Sequence, residues 1–303
     1  MKILLLGKNG QLGWELQRSL APLGKIVALS RDSKSFCGDL TDLSGLTDTV
    51  RQLKPDIIVN AAAYTAVDKA ETEPELAQSI NVDAVNVLAK ESKILGSLLV
   101  HYSTDYVFNG DGKSAWTEND QTDPVNVYGL TKSAGERVII NADCKYLIFR
   151  TSWVYSTKGN NFAKTMLHLA QERDSLTVID DQVGSPTGAD LLADVTAHAI
   201  RSVQQQPKLF GLYHLTSSGE TSWYGYACFV IEYALKTGFD LKTRPEAISS
   251  VPSSSFVTPA KRPKNSRLNT RKLENRFDFN LPHWQEGVSR MLAEIIEKNN
   301  ETA

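Results

Sequence analysis

Tyr128 and Lys132 stand four residues apart in Tyr128-Gly-Leu-Thr-Lys132, so on a helix they share one face, one turn apart. Reducing a ketone requires hydride at carbon and a proton at oxygen. A free phenol, with a pKa of about 10, is a weak acid at neutral pH. A neighbouring ammonium favours the phenolate, draws that value towards working pH and makes Tyr128 a better proton donor. By itself a Tyr-x-x-x-Lys pair is also an ordinary exposed helix face. Ser103-Thr104 directly follows the apolar run 98–102 and puts hydroxyls where a strand would end. Thr104 there could bond a substrate oxygen and hold it for attack.

Far upstream, Gly7-Lys-Asn-Gly10-Gln-Leu-Gly13 follows an apolar run and opens a helical pattern. Glycine suits such a corner because a Cβ would block the turn or keep a diphosphate off the backbone. The N–H groups and dipole at the helix start then meet the phosphate charge. Plain strand–helix turns also use glycine, but the strand–turn–helix context of a dinucleotide site is present. The second strand ends in Leu29-Ser30-Arg31-Asp32. A small polar residue with Arg favours the ribose phosphate of NADPH, whereas Asp32 suits NADH, so either cofactor is compatible. Asp39, before Leu40, either bonds the adenine amine or caps the following helix. The alanines of Asn60-Ala-Ala-Ala-Tyr64-Thr65 let a flat ring or ribose approach the backbone, or simply pack helix on sheet.

The elements that must hold these groups alternate. Short apolar runs at 2–6, 26–29, 57–59, 98–102 and 146–149 are separated by helical patterns at 11–21, 43–53, 75–94 and 127–140, with two later runs at 178–179 and 212–214. Continuous Ile/Leu/Val runs are what strands covered on both faces need, which predicts a Rossmann-like, doubly wound parallel α/β sheet. The 303 residues exceed one such unit. The expected division is a dinucleotide domain at 1–152, rejoined by 186–219, and a smaller α/β substrate domain at 153–185 and 220–303. A net charge of −2 speaks against nucleic acid or an anionic membrane as the main partner. The first apolar run is too short for a signal or a span. Cys37, Cys144 and Cys228 are odd in number and without metal-ligand spacing, which suggests reduced, mostly buried thiols in a cytoplasmic protein. The five histidines lack metal spacing too and are taken as structural. The Ser/Pro/Lys/Arg-rich stretch 249–276 reads as surface loop.

At these residues the chain resembles the extended short-chain dehydrogenase/reductase superfamily, and within it the branch acting on dTDP-sugars. The resemblance is carried by Gly-Gln-Leu-Gly13, Asn60-Ala-Ala-Ala-Tyr-Thr-Ala-Val-Asp68, Ser103-Thr-Asp-Tyr-Val-Phe108 and Tyr128-Gly-Leu-Thr-Lys132. It continues through Arg150-Thr-Ser-Trp-Val-Tyr155, Asp181-Gln-Val-Gly-Ser-Pro-Thr187 and Arg262-Pro-Lys-Asn-Ser266, nearly the whole length. It implies NADPH- or NADH-dependent reduction of the C4 ketone of dTDP-4-dehydro-L-rhamnose, feeding surface polysaccharide such as O-antigen. It further implies Tyr128 as proton donor, Lys132 as its tuner and Thr104 at the reacting oxygen. The cofactor would lie against Gly7, Gly10, Gln11, Leu12, Gly13, Ser30, Arg31, Asp39, Leu40, Ala62, Ala63, Tyr64, Thr65 and Tyr102, besides Tyr128 and Lys132. Asp105 and Trp153 would contact the sugar nucleotide, although Trp153 taken alone is equally a core aromatic.

Related dehydratases need an Asp-Glu pair after the Thr; here Tyr106 follows Asp105, which argues against dehydration. A C4 epimerase shares the Tyr and Lys, and a regulatory dinucleotide-binding subunit is the rival outside catalysis. The intact Thr104–Tyr128–Lys132 set favours the enzyme over a pure binder. Some relatives hold Mg²⁺ at a homodimer contact. Glu15 with Asp190 and Asp194, spaced i, i+4, is the corresponding set here; oxygen ligands suit that ion, but the pair is also a plain solvated face. Lys261, Arg262, Lys264, Arg267, Arg271 and Lys272 form a basic segment, read either as a solvated surface or as a clamp on the substrate diphosphate.

Overall fold

The computed structural model describes residues 1–302. Its centre is a six-stranded sheet of β1 (Lys2–Leu6), β2 (Lys25–Leu29), β3 (Ile57–Asn60), β4 (Leu98–Thr104), β5 (Lys145–Thr151) and β6 (Gly211–His214). The strands are all parallel, in the order β6-β5-β4-β3-β1-β2. The main helices are α1 (Gln11–Leu20), α2 (Leu43–Leu53), α3 (Ala84–Leu95), α4 (Val127–Asn141), α5 (Phe162–Glu172), α6 (Ala189–Gln205), α7 (Trp223–Lys236) and α8 (Trp284–Thr302).

The unbroken apolar run of β1 follows from its position. Successive strand residues point to opposite faces. Ile3 and Leu5 pack with Leu16 and Leu20 of α1 and Leu192 and Ile200 of α6. Leu4 and Leu6 pack with Leu46 and Val50 of α2 and Val85 and Leu88 of α3. A strand with helices on both sides has no solvent face, so no polar residue alternates into it. A second apolar core joins Met166 and Leu167 of α5, Tyr226 and Val230 of α7, and Val288 and Leu292 of α8. Beside it, Leu176–Ile179 pairs with Ile248–Val251. The short helix Arg271–Phe277 turns back, giving Leu273 and Phe277 to the core of the large sheet.

The chain leaves β1 to one side for β2 and crosses back to the other side for β3, which opens a crevice beyond the carboxyl ends of these strands. Two departures from expectation shape that crevice. β4 runs past 102, so Ser103 and Thr104 end the strand itself, opposite Arg150 and Thr151 of β5. The helix expected over 75–94 is interrupted: Pro74–Gln78 leads into a π turn at Ser79–Asp83 before α3 begins. Among the described residues, no helix is long and apolar enough to cross a membrane. Cys37, Cys144 and Cys228 are all free thiols, half-buried rather than fully buried.

Candidate active site

The glycine corner is built around Gly7, whose φ of +88° lies in the left-handed region. A Cβ on Gly13 would come within 2.0 Å of the Gly7 carbonyl oxygen, so α1 can start against the turn only with glycine there. Gly10 differs. It is the N-cap of α1, and a Cβ on it would meet only that same oxygen, at 3.5 Å. Its exposed backbone faces the crevice, and among the described residues no side chain caps the first turn of α1. Uncapped N–H groups beside a backbone left bare of side chain fit a diphosphate. Gly13→Ala is accordingly expected to shift the turn and weaken NADPH binding by about tenfold or more, a loss of roughly 1.4 kcal/mol. Fluorescence titration of the variant checks this; unchanged affinity would count against the corner as the dinucleotide site.

Two adjoining cavities, of about 530 and about 580 Å³, run along the crevice and share Gly7, Gly10, Ala62, Ala63 and Thr65. The first reaches Ser30, Arg31, Asp39, Leu40 and Tyr64; the second reaches Gln11, Leu12, Tyr102, Thr104, Asp105, Tyr128, Lys132 and Trp153. Of the residues expected at cofactor and substrate, Gly13 alone lies off these walls. At the far end Asp39 does not cap α2. That cap is Asp42, which accepts from the Gly45 N–H at 2.9 Å. Asp39 instead accepts from the Thr41 backbone and hydroxyl and sits 3.5 Å from Arg31. Tyr64 is fixed by its hydroxyl, donating to Glu73 at 2.5 Å, and by its N–H, donating to buried Asn81 in the π turn at 2.9 Å.

At the near end, Asn126 caps α4 by accepting from the Gly129 N–H at 2.8 Å. A Cβ on Gly129 would stand 2.1 Å from the Tyr106 carbonyl oxygen, so glycine lets α4 press against the turn after β4. Tyr128 is thereby held beside Thr104. The Thr104 hydroxyl donates to Asp105 Oδ1 at 3.0 Å and accepts from the Tyr106 N–H at 3.2 Å. Burial pushes the Asp105 carboxyl up to about 6, against the restraint of the Ser266 and Thr104 hydroxyls.

Lys132 does not act on Tyr128 in the expected way. Burial drives the phenol up to about 12, with Thr104 restraining the rise and Asp105 adding to it. The Lys132 ammonium is turned elsewhere: Nζ donates to the Tyr102 carbonyl at 2.6 Å and lies 3.2 Å from His101 Nε2. Desolvation also lowers Lys132 to about 8, with the Glu136 carboxylate opposing. Tyr128 is therefore fully protonated at neutral pH, and it is still acidic enough to protonate an alkoxide. His101, read from sequence as merely structural, lies beneath the reacting pair; no motif spacing marks it.

Trp153 adopts φ +48°, rare for a bulky residue, and stacks on Trp223 with ring centroids 3.5 Å apart. Both rings line the cavity, so Trp153 is a wall of the cleft rather than only core. Trp223 belongs to no motif recognisable in the sequence. Its Nε1 donates to Gln182 at 3.1 Å.

Within one chain the three acids expected at a Mg²⁺ site are each met by arginine. Asp194 accepts from Arg18 at 2.9 Å and from Ser19, Glu15 pairs with the same Arg18, and Asp190 lies 3.5 Å from Arg290. Their charge is met by arginine, and among the described residues no group of three or more acids, histidines or cysteines is placed to hold a metal. The basic segment is paired as well: Arg262 with Asp68 at 2.7 Å, Lys264 with Asp181 at 2.9 Å and Arg267 with Glu220 at 2.7 Å. Lys272 donates to the Leu212 carbonyl. These contacts tie the segment to both parts of the chain.

Residues 1–297 match the family model described as the RmlD substrate binding domain. A relative called dTDP-4-dehydrorhamnose reductase, from Salmonella typhimurium strain LT2, is 57% identical over 296 residues, covering 98% of each chain. A crystal structure of a dTDP-4-dehydrorhamnose reductase from Clostridium acetobutylicum superimposes with a TM-score of 0.88 at 35% identity, over 98% of this chain and 100% of that one. A dTDP-4-dehydrorhamnose reductase from Bacillus anthracis, solved in complex with NADP, superimposes with a TM-score of 0.85 at 35% identity, over 97% and 99%.

Proposed function

The chain belongs to the RmlD substrate binding domain family, and we propose from that membership that it reduces the C4 ketone of dTDP-4-dehydro-L-rhamnose to dTDP-L-rhamnose with NAD(P)H. The observation carrying this is the convergence of Thr104, Tyr128 and Lys132 on one cavity wall, continuous with the glycine corner. Gly10, Ala62, Ala63 and Tyr102, which line the crevice, would hold a nicotinamide dinucleotide, which when bound in its reduced form would supply the hydride.

This chain's own groups do the rest. Thr104 positions the sugar C4 oxygen, and the Tyr128 hydroxyl delivers the proton as that oxygen gains charge. A buried Lys132 holds positive charge beneath the forming alkoxide, where low dielectric strengthens its effect. Trp153 and Trp223 wall the sugar side, and Asp105, partly protonated near neutral pH, can donate to a sugar hydroxyl or accept from one. The two apolar cores support a division of labour, with 1–152 and 186–219 serving the dinucleotide and 153–185 and 220–303 the sugar nucleotide. Free thiols support a reducing cytoplasmic setting. The product would feed surface polysaccharide such as O-antigen, and a homodimer is the assembly we propose.

Purified protein mixed with NADPH and dTDP-4-dehydro-L-rhamnose is expected to oxidise one NADPH per dTDP-L-rhamnose formed, followed by absorbance and product analysis. Cofactor binding with no oxidation would instead favour a regulatory subunit.

A further inference from the structure

Beneath Lys132 lies a buried chain of polar groups that the proposed reaction has not used. Asn60 at the end of β3, His101 in β4 and Lys132 in α4 are all at most 2% exposed. Asn60 Oδ1 accepts from the Ala62 N–H at 3.2 Å, which turns its amide Nδ2 towards His101 Nδ1 at 3.3 Å. His101 Nε2 faces Lys132 Nζ at 3.2 Å.

Donors and acceptors along this chain cannot all be satisfied for every charge on Lys132. Burial and the charge of Lys132 hold His101 neutral, so its ring carries a single proton. If the Asn60 amide donates to Nδ1, that proton is on Nε2 and points at Lys132, which suits an amine accepting it. An ammonium at Lys132 requires Nε2 to accept. The proton must then be on Nδ1, and Asn60 must offer its oxygen, giving up the Ala62 N–H. The charge on Lys132 is thus coupled, through His101, to the orientation of the Asn60 amide, and Lys132 and His101 titrate as a unit. The charged and titratable groups acting on Lys132 are few: Glu136 on its own helix, held by Arg150 at 2.6 Å, and His101 from β4, beside which the Tyr102 backbone carbonyl accepts from Nζ.

Granted the reductase function proposed above, we propose that Asn60 and His101 form a hydrogen-bond relay that sets the charge of Lys132, with His101 as a positioning residue beneath the proton donor. Removing the ring's acceptor takes a partner from the ammonium and favours the amine. A carboxylate at 60 does the reverse. It accepts from both Ala62 N–H and His101 Nδ1–H, fixes Nε2 as an acceptor and favours the ammonium.

The test measures kcat from about pH 6 to about pH 10 on the full chain with NADPH and the sugar nucleotide. His101→Leu is expected to move the alkaline limb down by about one pH unit, and Asn60→Asp to move it up by about as much. His101→Gln, which restores an acceptor, is expected to leave it within a few tenths of a unit of wild type. A limb that coincides in all four proteins, or moves in the same direction for His101→Leu and Asn60→Asp, overturns the relay. Should His101→Leu fail to fold, the isosteric Asn60→Asp decides by itself: an upward shift supports the relay and an unmoved limb overturns it. Absence of turnover in wild type would instead refute the reductase function, so the two failures are distinguishable.

Discussion

Tyr128→Phe is expected to lower turnover by about 10² to 10⁴ while leaving the dissociation constant for NADPH within about twofold of wild type. The substitution removes one oxygen and little else. The ring packs edge-to-face on Tyr106 with centroids 5.6 Å apart, and phenylalanine keeps that contact. Burial has pushed the phenol up to about 12, so the hydroxyl is present as an acid across the neutral range, and its loss leaves no second acid of suitable strength at the same place. Asp105 lies nearby, but its first oxygen is engaged by the Thr104 hydroxyl. Stopped-flow absorbance gives the chemical step, and fluorescence titration gives the affinity. Loss of cofactor binding alongside turnover would mean that Tyr128 is a structural residue.

Much of this site was legible before any coordinates because the chemistry is tied to backbone geometry. Gly7 and Gly13 are recognisable in sequence because the turn tolerates nothing larger, and both constraints recur in the structure as a positive φ and a 2.0 Å approach. The strand runs were legible for a similar reason, since a β1 packed on both faces leaves no room for a polar residue. Features set by long-range contact were hidden. Nothing in the local pattern shows that Lys132 turns towards Tyr102 and His101, because the approach of β4 to α4 is settled by Gly129 against Tyr106. The arginines that meet Asp194 and Asp190, Arg18 and Arg290, lie far off in sequence, so no local pattern places them there. Asp39 and Asp42 both precede α2, and only hydrogen-bond geometry assigns the cap to Asp42. Trp223 meets Trp153 across a gap of seventy residues that no spacing rule spans.

The second large effect belongs to Lys132, and it separates activity from stability. Lys132→Met is expected to lower turnover by about 10² to 10³, as for removal of one preorganised electrostatic partner. Stability should respond with the opposite tendency. The folded-state pKa of Lys132 is lowered from 10.5 to about 8 by desolvation, so at pH 7 the folded state carries a buried charge at a cost of about 3 kcal/mol. Methionine removes that cost but forfeits the bonds to Tyr102 and His101, which offsets about 1–3 kcal/mol of the gain. Between about pH 8 and 10.5 the unfolded chain holds the lysine proton while the folded chain has released it. Wild-type stability therefore rises with pH through that window, and the Met variant has no such rise. Denaturant unfolding at about pH 7 and about pH 10 should show the wild type gaining about 2–3 kcal/mol relative to Lys132→Met. Because the same buried charge that serves the reaction weakens the fold, parallel stability curves for the two proteins would mean that desolvation does not depress Lys132 in the folded state, whereas a wild-type gain of about 4 kcal/mol would mean that Lys132 is already neutral in the fold at pH 7, and its electrostatic role in proton delivery would fall with that second result.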